Sequence, residues 1–142
     1  MAVAVCLALL STAAARAGDI KFETQLVWAT NDAKSPNEKH RPVEPEVRKK
    51  LESLSLKWKN FFEVNRASLN VPRGESKKVA LSDKCSIEVK AVDSKKIEVV
   101  FYGQKGEVCS RRTQPLSKDE ILVHGGNAAN STGWLVVLKR VE

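Results

Sequence analysis

The feature that most constrains the fold is a two-residue alternation of apolar and polar side chains. From residue 79 onward, the apolar or weakly polar residues occupy alternate positions: Val79, Leu81, Cys85, Ile87, Val89 and Ala91. Successive side chains of a β-strand point to opposite faces of a sheet, whereas one face of a helix recurs every three or four residues. The alternation therefore predicts strands with one buried face.

Short alternating segments of this kind follow one another along most of the chain. Turn signals separate them about every eight to twelve residues, for example at residues 72–75, 93–94 and 103–106. Residues 20–29 and 56–66 alternate in the same way. The sequence therefore predicts an all-β domain of about eight short strands, arranged as a small sandwich or a barrel-like domain.

One segment has the period of a helix instead. Pro45 suits the first position of a helix, and Val47, Leu51 and Leu54 recur along a single helical face. We therefore expect one peripheral helix over residues 45–54, with a narrow apolar stripe that packs on a sheet.

Residues 1–17 have the composition of a secretory signal peptide. Residues 2–14 carry no charge, their apolar stretch is too short to cross a bilayer, and Ala15-Arg16-Ala17 forms a cleavage signature. No Lys or Arg precedes the apolar stretch, so a buried N-terminal helix is the alternative interpretation. We expect residues 18–142 to form a single β-rich domain of a periplasmic or secreted protein, with no membrane span in the mature form.

Removal of the leader would take away Cys6 and leave Cys85 and Cys109. Two cysteines in an exported protein most often pair with each other. The C-x-x-C spacing of zinc ribbons and thioredoxin-type sites is absent. We therefore expect a disulfide bond between Cys85 and Cys109, and two buried free thiols are the alternative.

The chain is basic, with 24 Lys and Arg residues against 17 Asp and Glu residues and a net charge of +7. On the strand predicted at residues 56–66, Lys57, Lys59 and Phe61 share one face. Two cations beside an aromatic ring form a possible polyanion-binding surface. The alternative is a solvated face with Phe61 covered by the helix. No nucleic-acid motif accompanies the charge, so we expect no specific nucleic acid as a partner.

The two histidines, His40 and His124, are the candidate acid–base groups. Small secreted ribonucleases use such groups to cleave RNA, but no local motif of a ribonuclease is present. His124-Gly125-Gly126 matches an oxyanion turn, which requires a nucleophile elbow that the sequence lacks. We therefore assign no catalytic residue.

The acidic residues give no metal-binding pattern. Asp32, Glu38, Glu44 and Glu46 lie in or near one polar segment but do not follow the spacing of a calcium loop. The two histidines are far apart in the sequence. We predict neither a metal site nor a cofactor.

Two segments carry a resemblance to known sequences. They are Leu-Val-Trp-Ala-Thr-Asn at residues 26–31 and Leu-Lys-Trp-Lys-Asn-Phe-Phe-Glu-Val at residues 56–64. Together they resemble a group of exported bacterial β-rich proteins that has no named family. The resemblance covers residues 22–64 and the final strand, and it implies no activity, ligand or catalytic residue.

Three functions follow from these observations. The best is a non-catalytic binding or assembly module of the bacterial envelope or extracellular space, with an envelope protein or an anionic surface polymer as its partner. The first alternative is a small secreted hydrolase with ribonuclease-like chemistry at His124 or His40. The second is an inhibitor of a secreted enzyme, acting through the long polar loop at residues 30–44.

We expect the mature protein to begin at Gly18, because signal peptidases cleave after an A-x-A signature. Intact mass spectrometry of protein recovered from the periplasm or the medium measures this directly. A cytoplasmic product that retains residues 2–17 would contradict the export prediction.

Overall fold

The computed structural model describes residues 19–35, 37–128 and 131–142. These residues form two antiparallel sheets with one short helix on the outside, which confirms the predicted β-sandwich with a peripheral helix. The predicted signal peptide, residues 1–17, lies outside the described residues.

Nine strands are present in the described ranges, one more than the approximate number predicted. They are β1 (Ile20–Thr30), β2 (Arg41–Pro42), β3 (Asn60–Val71), β4 (Ser76–Ser82), β5 (Cys85–Ala91), β6 (Lys96–Tyr102), β7 (Val108–Pro115), β8 (Ile121–Asn127) and β9 (Gly133–Arg140). Sheet A has the order β2-β3-β1-β9-β8, and sheet B has the order β4-β5-β6-β7. The additional strand, β2, has two residues and lies within the segment predicted to be a long loop.

Strand β1 is buried on both of its faces. Ile20 and Phe22 point inward and pack in the core between the two sheets. Val27 and Ala29 point outward and belong to a second apolar cluster beneath the helix. Since β1 also pairs with β3 on one edge and β9 on the other, it is the center around which sheet A is built.

The helix α1 (Pro45–Ser53) covers the outer face of sheet A. Val47 and Leu51 are buried in the second apolar cluster, as the predicted stripe requires. Leu54 was predicted to continue that stripe, but the helix ends at Ser53 and Leu54 is 41% exposed. The buried stripe therefore consists of only Val47 and Leu51. Two residues alone do not define how α1 lies on sheet A, so other contacts contribute to its orientation.

Ion pairs at the beginning of α1 supply that orientation. The Lys139 ammonium lies 2.7 Å from a Glu46 carboxylate oxygen, and Arg66 donates to the carboxylates of Glu63 and Glu44. The hydrogen bonds that Arg66 donates, first to Glu63 and then to Glu44, raise the pKa of its guanidinium. Exposed pairs of this kind contribute little stability individually, but they connect the first turn of the helix to β3 and β9.

Strand β3 begins later than the segment predicted at residues 56–66. Residues 56–59 connect the helix to the sheet, and Trp58 turns into the cluster beneath α1. Its indole Nε1 donates a hydrogen bond to the backbone oxygen of Ser131 at 2.9 Å. This contact joins the start of β3 to the turn before β9.

A β-bulge in β3 changes which of its residues face the core. Leu26 pairs with Asn65 and Val27 pairs with Glu63, so Val64 has no partner on β1. An extra residue in one strand shifts the alternation by one position. The alternation predicted through residue 66 therefore ends at Val64.

Sheet A extends past sheet B at one end of the sandwich. Strands β1 and β3 have 11 and 12 residues, whereas β5 and β6 have 7 each. Leu26 and Trp28 lie on the inward face of β1 near this end, where they border an open space rather than a facing strand. The mismatch in strand length thereby leaves a cavity between the sheets.

Gly133 is required where β9 meets Trp58. A Cβ atom at Gly133 would lie 2.3 Å from Trp58 Cζ2 and 2.5 Å from Cη2. Because Trp58 is a rigid and buried ring, Gly133→Ala should lower the free energy of unfolding by about 1–3 kcal/mol. Urea denaturation followed by circular dichroism measures the change.

The control is the same substitution in a Trp58→Phe background. Phenylalanine lacks the outer ring of the indole that meets this Cβ. Gly133→Ala should therefore cost much less stability there, and the difference is the coupling of the two positions. An equal cost in both backgrounds would show that the contact with Trp58 is not the reason for the glycine.

Candidate functional site

A cavity of about 490 Å³ opens between the two sheets at the end where sheet A extends past sheet B. We call it the end cavity. This volume lies within the range of small-molecule sites, roughly 300–1,000 Å³. Most of its lining is apolar and includes Leu26, Trp28, Val64, Phe101, Tyr102 and Trp134.

The lining distinguishes the end cavity from other depressions on the surface. One depression of about 560 Å³ is bordered by Lys39, Arg41, Glu44, Glu63 and Arg66. Arg66 already pairs with Glu44 and Glu63, and charged side chains of this kind offer little to an apolar ligand. Aromatic side chains that face a cavity offer a large contact area, so the end cavity is the candidate functional site.

His124 supports the wall of the end cavity from behind. Its ring stacks on Phe101, with 4.0 Å between ring centroids and 17° between planes, and lies 5.9 Å from the Trp134 ring. Burial, and to a smaller extent the charge of Arg112, lowers the pKa of His124. The imidazole therefore acts as a flat packing surface that holds Phe101 and Trp134 in position.

His40 reaches the cavity from the polar segment between β1 and α1. Its Nδ1 lies 2.5 Å from the Ser35 hydroxyl oxygen. The same segment is fixed to the start of β3, because the Lys59 N–H donates to the Asn31 side chain and the Asn60 side chain donates to the Asp32 carbonyl. The segment predicted to be a loop thus forms part of the rim of the site.

Cys85 and Cys109 both line the end cavity, but they are not bonded to each other. Strand β6 lies between β5 and β7, and Gly103 follows β6 between the two cysteines. A Cβ at Gly103 would lie 3.1 Å from Cys109 Sγ. The structure thus brings the two cysteines to one wall of the cavity.

The structure does not contain the predicted Cys85–Cys109 disulfide, and strand spacing explains why. Adjacent strands lie about 4.8 Å apart, so positions two strands apart are about 9.6 Å apart. A disulfide requires Cα atoms within about 7 Å. The sequence placed both cysteines on strands but could not show that a third strand separates them.

The three residues of the predicted polyanion surface do not share an exposed face. Phe61 is only 2% exposed and packs in the cluster beneath α1. Lys57 and Lys59 are exposed and precede β3, with the Lys57 ammonium 5.1 Å from the centroid of the Trp58 ring. Because the outer face of sheet A is covered by the helix, the Phe61 ring is not available to stack on a ligand.

In the ranges that the structure describes, no group of three or more His, Cys, Asp or Glu side chains is arranged to hold a metal ion. Every helical stretch within those ranges falls short of the length and hydrophobicity that a bilayer crossing requires.

Sequence reasoning missed the end cavity and its residues Leu26, Trp28, Lys84 and Trp134. One signal was present: Trp28 and Trp134 occupy alternating positions near strand ends, where large rings are hard to enclose in a thin core.

Comparisons with protein-family models, with curated proteins and with solved structures found no match to this chain.

The two thiols should differ in reactivity. Cys109 is exposed, whereas Cys85 is half-buried, and burial together with the neighboring Cys109 raises the pKa of Cys85. Because the thiolate is the nucleophile, iodoacetamide at pH 8 should alkylate Cys109 several-fold faster than Cys85. Peptide mass spectrometry over a time course measures both rates.

Unfolding the protein in urea is the control, since it should bring the two alkylation rates together. Equal rates in the folded protein would contradict the described difference in exposure. Absence of alkylation until a reductant is added would show that the two cysteines are oxidized.

Proposed function

We propose that this chain is an exported, non-catalytic binding or assembly module of the bacterial envelope or extracellular space, and that it binds an apolar group in the end cavity. The observation that carries the proposal is the lining of that cavity, which presents Leu26, Trp28, Phe101 and Trp134 to an open space between the sheets. Burying such surfaces against a ligand yields about 25 cal/mol per Å² of apolar area.

The walls of the cavity are held in place before any ligand arrives. Trp134 and Phe101 are fixed by the His124 ring that packs against both. Leu26 and Trp28 belong to β1, which is paired on both edges over this stretch. A preorganized site loses less conformational entropy when it binds, and this favors a binding function.

Export is supported by the uncharged composition of residues 2–14 and by the Ala15-Arg16-Ala17 cleavage signature. The strands and the helix of the described residues lie between Ile20 and Arg140. Cleavage after Ala17 would remove none of them. The exported protein could therefore keep the whole sandwich and the end cavity.

The hydrolase alternative finds less support in the geometry. An acid–base pair requires two titratable groups that face the same substrate. In the described part of the chain, the ring of His124 packs on Phe101 and His40 contacts the Ser35 hydroxyl, and neither imidazole hydrogen-bonds a carboxylate. Binding is the function that the arrangement supports best.

A neutral fluorescent probe tests the cavity. N-phenyl-1-naphthylamine brightens in apolar surroundings and should bind the wild-type protein. Val64→Asp places a charge on the cavity lining at a residue that is already 37% exposed. Because a bound apolar probe would take water away from this charge, fluorescence titration should show about tenfold weaker binding.

Val92→Asp is the matched control, since Val92 is 43% exposed and lies in the turn between β5 and β6. It should leave the affinity for the probe unchanged. Failure of the wild-type protein to bind the probe, or equal weakening by both substitutions, would contradict the proposed function.

A further inference from the structure

The charged groups at the rim of the end cavity indicate what its ligand carries. We infer that the cavity binds a monomeric amphipathic anion, an apolar chain that ends in a carboxylate, and that Lys84 binds the carboxylate. This inference rests on the proposed function and names the chemical class of its ligand.

Lys84 is the strongest observation for an anionic ligand. It lies in the turn between β4 and β5, it is exposed, and it lines the cavity. In the described residues it makes no ion pair, whereas Arg66, Arg111 and Lys139 each pair with a carboxylate. Its ammonium group is therefore available to a ligand without breaking an existing contact.

The other ionizable groups of the lining are also compatible with an anionic ligand. The lining contains no Asp or Glu, and besides Lys84 its titratable side chains are His40, Tyr102 and the two cysteines. Tyr102 already donates its hydroxyl to Glu88 at 2.8 Å. An anion at the rim would thus lie beside the unpaired ammonium of Lys84, and no carboxylate of the lining would repel it.

Acidic residues flank this wall but lie outside the lining, and one of them, Glu88, accepts the hydrogen bond from Tyr102. Glu107 folds over Gly103, and its carboxylate accepts a hydrogen bond from the backbone N–H of Lys105 at 2.9 Å. Asp83 precedes Lys84 in the turn and is exposed. Neither residue lines the cavity.

The geometry separates the two parts of the ligand. The apolar chain would lie between Leu26, Trp28 and Trp134, which remove it from water. The carboxylate would remain at the rim, beside Lys84. A carboxylate held next to apolar walls interacts with an ammonium more strongly than it does in bulk water, so the anion adds affinity and also fixes the orientation of the chain.

Displacement of N-phenyl-1-naphthylamine from the full-length mature protein tests the inference. The competitors are dodecanoate, dodecanol and dodecylammonium, at pH 8 and below their micelle concentrations. Dodecanoate should displace the probe at a concentration at least threefold lower than dodecanol, and dodecylammonium should be the weakest of the three.

Lys84→Gln should abolish the preference for dodecanoate and leave the affinity for dodecanol unchanged. Lys90→Gln is the matched control, because Lys90 is an exposed lysine on the outer face of β5. It should retain the preference.

Three contrary results are distinguishable, and each overturns a different part of the proposal. Equal displacement by dodecanoate and dodecanol, or a preference that survives Lys84→Gln, would overturn the anionic ligand while the apolar cavity stands. Binding to phosphatidylglycerol vesicles without displacement by monomeric dodecanoate would overturn the monomeric ligand. Absence of probe binding and of displacement by every competitor would overturn the proposed function itself.

Discussion

The structure depends on the burial of β1 on both of its faces. A strand in this position needs one apolar layer on each side, and the chain supplies them with sheet B on the inner side and α1 on the outer side. Strand β9 repeats the arrangement, since Val136 and Leu138 pack inward while Leu135 and Val137 pack toward the helix. The helix is therefore a required cover for sheet A rather than an accessory on its surface.

The same strand explains the candidate site. Its inner face continues past the end of sheet B, so Leu26 and Trp28 on that face border open space, while the helix cluster covers the outer face of the same strand. Sheet B supplies the opposite wall with Phe101 and the two cysteines. Since the strands that form these walls also form the core, the packing of the core holds the walls in place.

Local signals predicted much of the fold and little of the site. Pro45 marks the first residue of α1, and Asp93 closes the turn between β5 and β6 by accepting the N–H groups of Lys95 and Lys96. These features depend on near neighbors in the sequence, so a pattern reveals them. The position of Phe61 beneath the helix, and the strand between Cys85 and Cys109, depend on residues distant in the sequence, so alternation alone could not assign them.

The sequence by itself determined that this chain forms β-strands with one peripheral helix, because a period of two residues can bury an apolar face only in a sheet and a period of three to four only on a helix. The tertiary structure decided which strands are neighbors, where the bulge at Val64 shifts the alternation, and how far sheet A extends past sheet B. The end cavity arises from that last difference. Strand pairing joins residues as distant as Trp28 and Trp134, and only the folded chain brings such residues to one site.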